Sequence, residues 1–96
     1  MKTREDILKI LAMEKPALEK QFKLRKIALF GSYAKSAQSS DSDIDILVDV
    51  DPSIGLDFVT LADHIEEVLD SHVDLVSTRA VNPRNFEVIK ESLIYV

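Results

Sequence analysis

The 96-residue chain contains no cysteine and no tryptophan, only two glycines and three prolines, and a deficit of positive charge. The missing cysteine excludes disulfides, thiolate chemistry and cysteine-ligated metals. So little glycine and proline, with 46 % hydrophobic residues and a mean hydropathy of +0.01, excludes a collagen-like or disordered chain. Seventeen acidic against 12 basic residues give a net charge of −5, a field that repels polyanions, so no direct nucleic-acid binding is expected. No hydrophobic run reaches the length of a bilayer span, and Met1-Lys2-Thr3-Arg4-Glu5 opens no signal peptide. The expected compartment is the cytoplasm, with no membrane partner. The length fits one domain over residues 1–96, near the small end of what folds alone. Burial at this size is modest, so association with a second copy or with another protein is expected.

The informative residues lie between Leu29 and Val50, LFGSYAKSAQSSDSDIDILVDV. This stretch reads as a buried strand end, a Gly31-Ser32 turn, a short helix over 32–37, a polar loop, and a second strand over Asp43–Val50. Residues i and i+2 of a strand share a face, so Asp43 and Asp45 stand side by side with Ile44, Ile46 and Val48 opposite. Two carboxylates roughly 6–7 Å apart repel each other unless a cation lies between them. Hard divalent ions such as magnesium suit an all-oxygen site of this kind. A glycine directly after a strand allows close backbone approach, and a helix starting at Ser32 aims N–H groups at an anion. Phosphate on one side and metal-binding acids on the other describe a nucleoside triphosphate site.

Around this centre the pattern is α/β. Thr3 and Asp6 form a capping box for a helix carrying Ile7, Leu8 and Leu11, predicted to stop at Lys15-Pro16. A second short helix then runs to about Phe22. Arg25–Phe30 reads as a central strand covered on both faces. Leu56, Val59, Ala62, Ile65 and Val68/Leu69 recur at helical spacing over Gly55–Asp70. Ser71–Ser77 is a third strand in which His72, Asp74 and Val76 share a face. Asp74 is flanked by Val73, Leu75 and Val76, an unusual setting for a solvated acid. Asn82-Pro83 opens a helix to about Glu91 with Phe86 and Ile89 inward, and Leu93–Val96 closes the chain as a strand. Asp49 competes with Asp74 for the place of third acid, while Asp41 and Asp51 read as turn residues. Tyr33 reads as a packing residue, His64 as solvated, and His72 as a polar neighbour of Asp74.

Gly31-Ser32, ten intervening residues and then Asp43-x-Asp45 resembles the signature of the DNA polymerase beta superfamily of nucleotidyltransferases. The short chain is similar in particular to the minimal nucleotidyltransferase family, whose members are often antitoxins paired with HEPN-domain ribonuclease toxins. The resemblance implies a palm: a small mixed sheet of about four strands with helices packed mainly on one face. It implies that Asp43, Asp45 and Asp74 are catalytic and ligate two Mg2+ ions. It further implies that Gly31, Ser32 and Lys35 bind the nucleotide. Lys35 stands where the family commonly has arginine, and Ser36 where it most often has glycine. The implied activity is transfer of AMP from ATP to a hydroxyl, by family likeness a tyrosine of a HEPN toxin. Two other readings stand beside it: a non-catalytic module that neutralises its partner by occlusion, and nucleotidyl transfer to a small-molecule hydroxyl such as an antibiotic.

Overall fold

The computed structural model describes residues 2–96; Met1, read above as opening no signal peptide, lies outside them. Helix α1 spans Arg4–Phe22, strand β1 Leu24–Phe30, the single turn α2 Gly31–Ala34, and strand β2 Ile44–Val50. A 3-10 turn at Pro52–Ile54 leads to α3 (Asp57–Leu69), then β3 (Val73–Ser77), α4 (Pro83–Ile89) and β4 (Ile94–Tyr95). The sheet order is β3-β2-β1-β4, with β1 antiparallel to both β2 and β4 and β3 parallel to β2. Parallel neighbours cannot be joined by a tight turn, and α3 is the crossover that joins them.

Alternation along β2 divides the molecule. Ile44, Ile46, Val48 and Val50 join Ile27 and Leu29 of β1 under Ile7, Leu11, Leu18 and Phe22 of α1 and Leu61, Ile65 and Leu69 of α3. Asp45, Leu47 and Asp49 point the other way. Leu47 and its β1 partner Ala28 are still buried on that second face, where Phe86 of α4 borders the same groove as Leu47. Helices therefore pack mainly on one face, and the short α4 crosses the other.

The expectations for α1 and α3 need correction, and the turn expected over 32–37 is the shorter Gly31–Ala34. The helix does not break at Lys15-Pro16; Pro16 lies inside a continuous α1. A mid-helix proline costs about 3 kcal/mol. Continuing the helix keeps Leu18 and Phe22 in register with Ile7 and Leu11, and burying two such side chains contributes roughly 3–6 kcal/mol. Burial wins, and the helix stops at Lys23 in a left-handed cap (φ 56°). The inward stripe of α3 keeps Ile65 and Leu69 from the reading above but takes Leu61 in place of Leu56 and Val59. Leu61, Ile65 and Leu69 are buried, whereas Leu56 and Val59 are 89 % and 59 % exposed. The 3-10 turn, with Asp51 Oδ1 accepting from Ser53 N–H at 2.8 Å, delays the helix start and leaves Leu56 in the connection.

Candidate active site

Register brings the acids together. Asp45 pairs with Asp74 across the parallel β2/β3 ladder, and Phe30 pairs with Asp45 across the antiparallel β1/β2 ladder. Asp43 lies one residue before β2, two positions from Asp45. Burial, then the Asp74 charge, then the Asp43 charge push the Asp45 carboxyl up from 3.8 to about 6. Each of the other two acids is thus close enough to oppose ionisation of Asp45. Among the described residues no three acidic or histidine groups converge into a closed cation cage. Asp45 is half-buried, while Asp43 and Asp74 are exposed. The apolar shielding expected around Asp74 is absent because β3 is an edge strand. An all-carboxylate donor set in which one acid resists ionisation fits hard divalent cations, whose charge offsets the repulsion.

The Gly31-Ser32 turn lies directly against Asp45. A Cβ on Gly31 would collide with Asp45 Oδ2 and stand 3.0 Å from its Cγ. Gly31 also has φ +77°, a conformation that side chains disfavour. Both constraints select glycine here. The Gly31 N–H donates to Ser92 Oγ at 2.9 Å, so Gly31 shapes the turn while its own amide is already engaged. Ser32 is half-buried on α2, Tyr33 is buried in the core, and Lys35 is exposed just after the turn. Ser36, where glycine was the family expectation, takes φ 56°, the left-handed conformation glycine adopts freely.

Two grooves flank the acids. One of about 720 Å³ runs past Asp43 and is bordered by Lys2, Asp6, Tyr33, Ser42 and His72. The other, about 410 Å³, is mainly apolar: Phe30, Val76, Val81, Val88 and Ile89 with Asp74 at its edge. Asp49 lies apart, in a small groove with Lys26, Phe86 and Tyr95, and has no part in the Asp45 shift. His72 is 93 % exposed with Nδ1 3.8 Å from Glu66. His64, read as solvated, is half-buried between helices, its Nε2 3.4 Å from Glu14 Oε1 and its ring 6.2 Å from that of Phe22. Asp51 is a turn residue that also pairs with Arg25 at 3.3 Å. Sequence reading missed Arg4, whose Nη1 donates to the Ala34 carbonyl at 3.2 Å, and Ser92 on Gly31. Neither carries a local signal, because their partners lie 30 and 61 residues away.

Carboxylates on neighbouring parallel strands, beside a glycine turn after the adjoining strand, define a palm for nucleotidyl transfer. The profile of the family "Polymerase beta, Nucleotidyltransferase" matches residues 14–96, and the chain belongs to that family. It is 37 % identical to the protein adenylyltransferase MntA of Thermococcus cleftensis, over all of this chain and 98 % of that one. It is 41 % identical, over the full length of both, to a Methanocaldococcus jannaschii protein named "Putative protein adenylyltransferase MJ1379". Among solved structures, an MntA–HpeT toxin–antitoxin mutant superposes with a TM-score of 0.69 at 29 % identity, over 98 % of this chain and 72 % of that one. A toxin–antitoxin structure with AMP-PNP gives 0.68 at 32 % identity, over 96 % and 70 %. A tri-AMPylated Shewanella oneidensis HEPN toxin in complex with its MNT antitoxin gives 0.60 at 30 % identity, over 96 % and 66 %.

Proposed function

We propose that this chain is a cytoplasmic, magnesium-dependent protein adenylyltransferase. It moves AMP from ATP to a tyrosine hydroxyl of a HEPN-domain ribonuclease toxin, and so serves as that toxin's antitoxin. The observation that carries the reading is the coupled carboxylate set, Asp45 between Asp43 and Asp74, packed on the Gly31 turn. The relative named MntA, the tri-AMPylated toxin and the AMP-PNP complex support the partner, the group transferred and the nucleotide. Aspartates one residue apart are the positions changed in one MntA–HpeT mutant, the same spacing as Asp43 and Asp45.

Asp43 and Asp45 are the residues that would hold two Mg2+ ions, with Asp74 on the second. When bound, such ions neutralise the triphosphate and lower the pKa of an attacking hydroxyl. Ser32 offers its hydroxyl and backbone amide to the terminal phosphates, and Lys35 supplies a point charge to them. The acceptor oxygen bonds to the α-phosphorus, the bond from that phosphorus to the β-phosphate oxygen breaks, and pyrophosphate leaves on the Gly31-Ser32 side. Asp74, on the other side, takes the hydroxyl proton. The mainly apolar groove at Asp74 suits a flat aromatic ring bearing a hydroxyl better than a polyhydroxylated antibiotic.

Label transfer tests this. With the cognate HEPN partner and Mg2+, label from the α-phosphate of ATP should appear on the partner and label from the γ-phosphate in pyrophosphate. Label from the γ-phosphate on the partner, or none from either position, contradicts adenylylation.

A further inference from the structure

We propose that Ser92 is a positioning residue for the Gly31-Ser32 turn, fixing from the far end of the chain where the phosphate-facing groups point. The inference rests on the reading of this turn as the ATP phosphate site.

Gly31 N–H is partly buried, and a buried donor without an acceptor costs about 1–3 kcal/mol. Its acceptor is Ser92 Oγ at 2.9 Å, in the connection between α4 and β4. The serine is itself tied to the end of α4. Its hydroxyl faces the Ile89 carbonyl at 3.4 Å, and its backbone N–H donates to the same oxygen at 3.2 Å. With the hydroxyl hydrogen aimed at Ile89, the oxygen lone pairs are left facing Gly31.

Two consequences follow for the site. With the Gly31 amide engaged, the turn's groups for an anion begin at Ser32. The orientation of Ser32 depends on Gly31, whose φ of +77° and close approach to Asp45 leave little freedom. Ile89 also lines the groove beside Asp74, so one hydroxyl joins the acceptor side of the site to the phosphate side. Arg4 holds the other end of the turn at the Ala34 carbonyl, which leaves the glycine end to Ser92.

A bond that only satisfied a buried amide would affect stability alone. A positioning bond affects ATP affinity, and threonine, which keeps the hydroxyl, should restore it. The test compares the wild-type chain with Ser92→Ala and Ser92→Thr by calorimetric titration of MgATP, Mn2+ titration without nucleotide, and thermal melts. Ser92→Ala should weaken MgATP binding about 5- to 10-fold while Mn2+ affinity stays at the wild-type value, since no carboxylate is touched. Ser92→Thr should return MgATP affinity to within about twofold of wild type. Unchanged MgATP affinity in Ser92→Ala overturns the inference, as does a loss that threonine fails to restore or that falls equally on Mn2+. A wild-type chain that binds no MgATP overturns the nucleotidyl-transfer reading and this inference together.

Discussion

Asp45 is placed where its own charge is penalised, and that sets its behaviour with pH. Its folded carboxyl titrates at about 6 against an ordinary 3.8, so between those values the folded chain holds the proton more tightly than the unfolded chain. Metal-free stability should therefore fall as pH rises from 4 to 6 and level off above. At about 1.4 kcal/mol per unit the loss would approach 3 kcal/mol, and solvent screening of a half-buried group reduces it to roughly 1–2 kcal/mol. Thermal melts across that range should show the decline, and Asp45→Asn should flatten it. With Asp45 as the proposed metal ligand, the same substitution should lower transfer by about 10³-fold or more, since such a ligand supplies several kcal/mol to the transition state. A stabilised but inactive Asp45→Asn chain in paired melt and transfer assays is the expected signature. At this scale the sequence was legible because Asp43-x-Asp45 and Gly31-Ser32 are local patterns. Ser92 was not, since its partner is 61 residues away.

Elements show where local rules yield to packing. The proline rule ended the first helix at Lys15, but the stripe Ile7, Leu11, Leu18 and Phe22 continues through Pro16. Pro16→Ala should accordingly raise stability by about 1–3 kcal/mol, read from urea unfolding, because it relieves a helix-interior proline and leaves the buried stripe intact. Ser36 holds a left-handed conformation that costs a non-glycine residue about 1–2 kcal/mol, so Ser36→Gly should stabilise the chain by about 1 kcal/mol in the same assay. The α3 stripe was misread because Leu56 and Val59 continue its spacing, yet the 3-10 turn shifts the helix start and turns both outward. Strand pairing was legible only as alternation. Nothing local in Val73–Ser77 states that Asp74 stands opposite Asp45; the α3 crossover and parallel register decide it.

The whole molecule is an acidic palm whose carboxylate face is crossed by one short helix. Its net charge of −5 opposes polyanions, so anisotropy titration with RNA at about 0.15 M salt should detect no binding. The fold class was readable from the order of amphipathic and alternating segments together with the family likeness. The way residues distant in sequence meet at the Gly31–Ala34 turn, with Arg4 at Ala34 and Ser92 at Gly31, was not. AMP transfer to a partner protein is the activity proposed for the site around these acids. Its most direct test is the intact mass of the cognate HEPN toxin after incubation with this chain, ATP and Mg2+, beside the Asp43→Asn/Asp45→Asn chain. Wild type should add one or more AMP units to the toxin and the double variant none, with toxin inhibition following the modification. An unmodified toxin that both chains inhibit equally through a stable complex would contradict this activity and make the protein an occluding antitoxin.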